Sequence, residues 1–194
     1  MINTTRFTVA KSSGYLGASL QAQLFWIATF AVATVLGARM EIPHQPVPFT
    51  MQTMVVMLAG AFLGARNGAL SQLMYLAAGV VGAPVFASSG FGIVHLLGPT
   101  GGYLLAFPVA ASIVGYLVQM RRGFLWSFVS MMAGLFVIFL SGTLQLSIVY
   151  LHDFTSAFKA GFLIFSWWDL LKVFAAASIY HEVAKRWPRV PPAN

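Results

Sequence analysis

Two ionisable residues stand three positions apart in an apolar stretch near the carboxyl end of the chain, within Trp-Trp-Asp-Leu-Leu-Lys. Residues at this spacing share one face of a helix. Asp169 can accept bonds from N–H donors, and Lys172 can bind a carboxylate as a point charge. An ionisable side chain in a membrane helix costs about 2.5–3.5 kcal/mol to insert and usually faces a polar interior. The pair therefore predicts a ligand site; a structural ion pair, or a helix end where Lys172 reaches the interface, is the alternative.

A second candidate is Gly-Pro-Thr-Gly-Gly-Tyr, residues 98–103. Glycine lets a backbone approach a ligand closely, and the Thr100 and Tyr103 hydroxyls can donate hydrogen bonds. The segment lacks the Gly-Lys-Ser/Thr ending of a phosphate loop. It predicts either a cavity wall formed by Gly98, Gly101, Gly102 and the two hydroxyl residues, or a helix start that packs tightly.

The third candidate is Pro-Val-Pro-Phe-Thr-Met-Gln-Thr-Met, residues 46–54. Its prolines favour an extended loop, and Thr50, Gln52 and Thr53 begin an apolar segment. Thr50 can cap that helix. The alternative is a lid, in which Phe49 and its polar neighbours close over a ligand.

Metal binding and hydrolytic catalysis are not predicted. His44, His95, His152 and His181 are far apart in the chain, and the sequence holds neither a His-Glu-x-x-His motif nor a Gly-x-Ser-x-Gly elbow. Cysteine is absent, which excludes disulfides and thiolate sites.

The composition predicts an integral membrane protein. Of 194 residues, 59% are hydrophobic and only 8% are charged, against about 25% charged in soluble domains; the mean hydropathy is +0.82. The net charge of +7 comes from cations scattered at segment ends. Nucleic acid is therefore excluded as a partner, because no basic face is formed.

Charges and turn residues divide the chain into six spans, which predicts an all-α membrane protein with a single domain over residues 1–194. Arg66-Asn67-Gly68 is interpreted as the tight turn between the second and third spans. The predicted spans are about 16–38, 50–64, 69–83, 102–119, 123–150 and 162–183.

The cations also predict orientation. With six spans, eight Lys and Arg residues fall on the side of the two termini, whereas Arg39 and Lys159 lie in the opposite loops. Positive residues favour the cytoplasmic side, so both termini are expected inside. The loops 39–49, 84–101 and 151–161 are then outside, where we expect the function to lie.

Small residues four positions apart, Gly60 and Gly64, allow two helices to pack closely. The partner helix can belong to this chain or to another membrane protein. The sequence leaves both possibilities open.

Taken together, Pro-Val-Pro-Phe-Thr-Met-Gln-Thr, Gly-Pro-Thr-Gly-Gly-Tyr and the late Asp-Leu-Leu-Lys resemble the BioY family, the biotin-binding S components of energy-coupling factor (ECF) transporters. The resemblance runs in order from about Phe30 to Lys172. It implies a bundle of six membrane helices that binds the vitamin at its outer face, in the cytoplasmic membrane of a bacterium. It also implies a transmembrane coupling subunit and ATP-binding cassette ATPases as partners, and biotin as the transported ligand without any cofactor.

The resemblance assigns roles to the candidate residues. Lys172 would hold the carboxylate of biotin, and Asp169 would accept a ureido N–H. Tyr103, Phe86 and Trp168 would line the apolar body, the backbone of residues 98–102 would form part of the pocket, and the loop around Phe49 would be the lid. Some relatives carry arginine after Gly-Gly-Tyr, where this chain has Leu104, which leaves Lys172 as the cation for the carboxylate.

Two other functions remain open at this point. One is a stand-alone biotin transporter, for example as a homo-oligomer. The other, from a different class, is a membrane-embedded enzyme that uses Asp169 and a histidine.

Overall fold

The computed structural model describes residues 19–121, 123–163 and 166–186, and the chain is almost wholly helical over them. The start of the predicted first span, residues 16–18, lies outside the described residues. The helices are α1 Leu20–Arg39, α2 Gln52–Val80, α3 Gly92–Leu97, α4 Gly101–Met120, α5 Phe124–Gln145, α6 Phe154–Phe158 and α7 Ser166–Arg186. Two short strands, β1 Glu41–Ile42 and β2 Phe49–Thr50, a 3-10 turn at Ala87–Ser89, and π-helical segments at Leu146–Leu151 and Lys159–Leu163 complete the fold.

Helix α2 folds back on itself at Gly64. This residue has φ 77° and ψ 178°, a conformation that is open to glycine and strained for other residues. The Gln52 Nε2 atom lies 2.7 Å from the Tyr75 hydroxyl, although a straight helix would separate these residues by about 34 Å. The α2 helix is therefore an antiparallel hairpin with arms 52–63 and 65–80. The sequence placed this reversal at Arg66-Asn67-Gly68, residues that already belong to the second arm.

Four helical stretches are long and apolar enough to cross a membrane. They are Leu20–Arg39, Gln52–Val80, Gly101–Met120 and Phe124–Leu151, and a fifth is added if Phe154–Leu163 and Trp167–Arg186, bent by 41°, form one span. Each arm of the α2 hairpin is short, about 18 and 24 Å at 1.5 Å per residue. The described residues thus form a helical membrane bundle, while the count of six spans and the orientation stay predictions.

The outer loop predicted at 151–161 is helical instead. Asp153 caps α6 by accepting bonds from the backbone N–H groups of Thr155 and Ser156, and the π-helical segment Lys159–Leu163 follows directly. Asp153 favours a helix here because an N-cap carboxylate satisfies amide groups that a helix start leaves unpaired.

Glycines bring the central helices into backbone contact. A Cβ on Gly60 would lie 2.4 Å from the Ala111 carbonyl oxygen, and one on Gly115 would lie 2.3 Å from the Ala65 nitrogen. These distances are too short for any side chain, so α2 and α4 pack closely through bare backbone. The Gly60–Gly64 pair therefore serves packing within the chain, and the alternative of a docking face at these residues is wrong.

The segment between α1 and α2 is a two-stranded hairpin, residues 41–50, rather than an irregular loop. Its strands pair antiparallel, with Glu41 opposite Thr50 and Ile42 opposite Phe49. The Glu41 carboxylate accepts the Ser88 N–H at 2.8 Å, and the Arg39 guanidinium donates to the Ser89 hydroxyl and the Pro84 carbonyl. The Glu41 bond holds the hairpin against the 84–89 segment, and the Arg39 bonds hold the end of α1 against the same segment.

Candidate functional site

A cleft lies between the hairpin, the first arm of α2 and helices α4, α5 and α7. Its cavity volume of about 50 Å³ holds a few water molecules, so side chains must move before a larger ligand can enter. The residues that line it are Val47, Pro48, Thr50, Gln52, Thr53, Ala87, His95, Thr100, Tyr103, Leu104, Phe107, Ile138, Phe139, Asp169 and Lys172.

Asp169 and Lys172 meet at one corner of this cleft. Lys172 Nζ lies 2.8 Å from Asp169 Oδ1, and the side chains are 11% and 1% exposed. The same oxygen of Asp169 accepts the Thr53 hydroxyl at 2.7 Å, and Nζ donates to the Thr50 carbonyl at 2.8 Å. The two charges thus form an ion pair and face the cleft at the same time. The sequence left a ligand site and a structural ion pair as alternatives. In the structure, the two side chains that form the ion pair also line the cleft.

Gln52 joins this corner to the second arm of α2. It is buried, its amide donates to the Tyr75 hydroxyl at 2.7 Å, and its carbonyl oxygen accepts the Thr50 hydroxyl at 3.1 Å. Met51 holds the N-cap position of α2 and makes no side-chain cap bond, whereas the Thr50 hydroxyl oxygen accepts the backbone N–H of Gln52, the first residue of the helix, at 3.4 Å. Thr50 and Gln52 both line the cleft, so Thr50 contacts the helix start and the cleft at the same time.

The opposite wall is apolar and centres on Tyr103. Its ring is buried, and its hydroxyl donates to the Gly161 carbonyl at 2.8 Å. Leu104 and Phe107 follow it along α4, and Ile138 and Phe139 face it from α5. The site thus pairs a polar corner with a hydrophobic wall, which suits a ligand that carries polar groups on an apolar body.

Gly101 and Gly102 have a packing role in the structure. A Cβ on Gly101 would collide with the Leu96 carbonyl, and one on Gly102 would lie 2.5 Å from the Ser141 carbonyl oxygen of α5. Gln145 of α5 adds bonds from its amide to the carbonyls of Leu96 and Gly98, both at 2.9 Å. Close helix packing explains the glycines at 101 and 102, and their contact with a ligand stays a prediction.

His95 and Thr100 stand at the mouth of the cleft. The ring Nε2 and the Thr100 hydroxyl oxygen are 3.3 Å apart, and the His95 ring stacks on Phe86 at 5.1 Å. Burial lowers the pKa of His95 below its usual value, so the ring is neutral at pH 7 and its tautomer sets which group donates. No motif in the sequence indicated that this histidine lines a site.

Six predicted site residues line the cleft, and the remaining ones lie elsewhere. The lining members are Thr50, Gln52, Thr100, Tyr103, Asp169 and Lys172. Phe86 is fully buried behind His95, Trp168 is 53% exposed, and Phe49 packs against His44. Gly98 lines a neighbouring groove. Phe86, Phe49 and Trp168 are therefore not among the residues that line the cleft.

The described residues hold no group of three His, Cys, Asp or Glu side chains that could bind a metal ion. The cleft offers one carboxylate, one ammonium group and several hydroxyl and amide groups. Such groups bind and orient an organic acid through charge-assisted hydrogen bonds.

Comparisons with known proteins agree on one family. A model of the BioY family matches residues 8–189. The chain is 40% identical over 163 residues to the biotin transporter BioY of Thermotoga maritima, covering 84% of this chain and 96% of that protein. It is 42% identical over 153 residues to the probable biotin transporter BioY of Pyrococcus horikoshii, covering 79% and 90%.

The fold is similar to that in the crystal structure of the S-component for biotin from an ECF-type ABC transporter. The TM-score is 0.80 at 23% sequence identity, over 85% of this chain and 92% of that one. The TM-score establishes a shared fold. The sequence identity is too low to transfer the roles of individual side chains, which depend on the geometry of the cleft.

Proposed function

Because the chain belongs to the BioY family, we propose that it binds biotin and takes it up across a membrane as the S component of an ECF transporter. The observation that carries the proposal is the buried Asp169–Lys172 pair, which faces an apolar wall in the cleft. The family is one of transporters, and the chain is not an enzyme.

Lys172 is the group proposed to hold the carboxylate of biotin. An ammonium group has three donors, and the bonds to Asp169 and to the Thr50 carbonyl use two of them. A ligand carboxylate can take the third donor or replace the neutral Thr50 carbonyl. A charge-assisted bond is about twice as strong as a neutral one, which favours that exchange.

Asp169 is proposed to accept a ureido N–H of biotin. Its carboxylate is held in place by Thr53 and Lys172, so its orientation is fixed before the ligand arrives. A preorganised acceptor lowers the cost of ordering on binding. Gln52, Thr50 and Thr100 supply further hydrogen-bonding groups in the same cleft.

The thiophane ring and the valeryl chain are proposed to lie against Tyr103, Leu104, Phe107 and Phe139. Burial of apolar surface contributes about 25 cal/mol per Å². This wall contributes to affinity, whereas the polar corner determines which ligand is accepted, because a buried polar group left unpaired costs about 1–3 kcal/mol.

The proposed partners are a transmembrane coupling subunit and ATP-binding cassette ATPases, in the cytoplasmic membrane of a bacterium with both termini inside. The sequence holds no Gly-x-x-x-x-Gly-Lys-Ser/Thr motif of its own, so ATP hydrolysis would come from other chains. A stand-alone homo-oligomeric transporter is the second candidate. Purification from native membranes separates the two, since only the first predicts co-purifying ATPases.

Titration of the purified protein with biotin in the absence of ATP tests the binding step. We expect binding below micromolar concentrations. Lipoic acid is the matched control ligand, because it has the same carboxylate tail and lacks the ureido group; it should bind at least about a hundredfold more weakly. Absence of biotin binding at micromolar ligand would overturn the proposal.

A further inference from the structure

A groove adjoins the cleft on the side of the hairpin tip. Its volume is about 760 Å³, far larger than that of the cleft, and it opens outward between the hairpin and α3. Its walls include Pro43, Pro46, Phe91, Val94, Gly98 and Pro99. The proposed contacts with biotin use none of these residues.

The groove and the cleft share a neck. Pro48, Ala87, His95 and Thr100 line both of them, so they are adjoining parts of one continuous depression. The His95–Thr100 contact of 3.3 Å forms one side of this neck, and Pro48 of the hairpin belongs to the other.

The charged end of the proposed ligand lies close to the neck. Lys172 Nζ contacts the Thr50 carbonyl, and Thr50 is two residues from Pro48, a separation of at most about 7 Å along the chain. A carboxylate on Lys172 would therefore lie close to Pro48, which lines both the cleft and the groove. We expect a group added at the carboxyl carbon to pass from the cleft into the groove at this neck.

We propose that the site accepts biotin amides extended at the carboxyl carbon, such as the ε-amide of lysine, with the extension lying in the outer groove. The inference rests on the proposed function, since it assumes biotin in the cleft. Proline, phenylalanine and valine walls suit the methylene chain of the lysine. Its charged α-amino and α-carboxyl groups reach the open side of the groove, where water solvates them.

The test compares three ligands on the purified full chain: biotin, biotin methylamide and biotinyl-lysine. The methylamide loses the carboxylate charge and has no extension, so it is the reference for the lysine amide. We expect biotinyl-lysine to bind within about threefold of the methylamide, or more tightly.

A tryptophan substitution in the groove provides a second test. Val94 is 77% exposed and lines the groove, whereas its neighbour Ile93 is 61% exposed and lies outside the groove lining. Val94→Trp should weaken biotinyl-lysine at least about tenfold and leave biotin and the methylamide unchanged. Ile93→Trp is the matched control and should affect none of the three ligands.

The outcomes separate the two proposals. Binding of biotin and the methylamide together with rejection of biotinyl-lysine would overturn this inference alone. An equal loss of affinity for all three ligands in Val94→Trp would also overturn it, because the groove would then not bind the lysine extension specifically. Failure of all three ligands to bind the unaltered chain would overturn the proposed function as well.

Discussion

Lys172 of α7 donates a hydrogen bond from Nζ to the backbone carbonyl of Thr50 at 2.8 Å. Thr50 is the last residue of the hairpin strand β2, so one side chain joins the final helix to the segment that covers the cleft. A ligand that draws Lys172 away from this carbonyl would also release the hairpin from α7. In the proposed site, charge recognition and closure of the cleft therefore depend on the same ammonium group.

The first prediction concerns the charge of Lys172. Lys172→Ala should weaken biotin by about 1.5–3 kcal/mol, or roughly ten- to a hundredfold, because a charge-assisted contact is lost. Biotin methylamide, whose tail is uncharged, should lose much less. Calorimetric titration of both ligands measures the difference. Unchanged biotin affinity in a folded variant would remove Lys172 from the site.

The second prediction separates binding from stability at Asp169. Asp169→Asn should weaken biotin and its methylamide alike, because the ureido ring is common to both ligands. It should also lower stability, since removing one partner of a buried pair leaves the other charge uncompensated, at a cost of about 3–5 kcal/mol.

The double variant Asp169→Asn/Lys172→Met is the control for that prediction. Without either charge, the melting temperature should recover most of the loss while biotin affinity stays low. Recovery of both properties would mean that the pair is structural only. Melting temperature and affinity are measured on the same detergent-purified samples.

The third prediction assigns Thr53 as a positioning residue. Its hydroxyl holds Asp169 Oδ1 at 2.7 Å, and loss of one hydrogen bond costs about 0.5–1.5 kcal/mol. Thr53→Val, which keeps the shape of the side chain, should weaken biotin about three- to tenfold, and Thr53→Ser should restore the affinity. In an Asp169→Asn background, Thr53→Val should have little further effect on affinity; a full additive loss would show that Thr53 acts independently of Asp169.

The polar corner of the cleft and Tyr103 were predictable from the sequence, whereas the rest of the apolar wall was not. Asp169 and Lys172 are conspicuous because charge in an apolar helix is costly. Ile138 and Phe139 lie in a helix that is apolar almost throughout, so nothing in the local pattern distinguishes the residues that face the cleft. Leu104 and Phe107 carried a weak signal, since they follow Tyr103 by one and four positions on α4.

The roles of the glycines could be predicted only in part from the sequence. Gly101 and Gly102 correctly indicated a close approach of backbone, but a sequence cannot show what approaches. The structure places Leu96 and α5 there. The reversal between the second and third spans was predicted, but it was placed two residues late, at Arg66-Asn67-Gly68. This stretch looks like a polar turn, while the reversal needs only one residue with positive φ, Gly64.

The fourth prediction tests the close packing of α2 and α4. Gly115→Ala should destabilise the protein by about 1–3 kcal/mol, because the added methyl group meets the backbone of Gly64 and Ala65 rather than a side chain that can move. Leu105→Ala, at a half-exposed position of the same helix, is the control and should have a smaller effect. Thermal unfolding in detergent measures both variants, and equal losses would contradict the packing argument.

The fifth prediction concerns orientation, on which the position of the site depends. In the predicted six-span topology, most Lys and Arg residues fall on the side of the two termini, and positive residues favour the cytoplasm. Reporter fusions at residue 1 and after residue 194 should therefore both report a cytoplasmic location. A fusion within the hairpin, between Pro43 and Pro46, should report the outer side and serves as the internal control. If only one terminus reported the outside, the number of spans would be odd and the six-span topology would be wrong. If both did so and the hairpin reported the cytoplasm, the cleft would face the cytoplasm and uptake from outside would be contradicted.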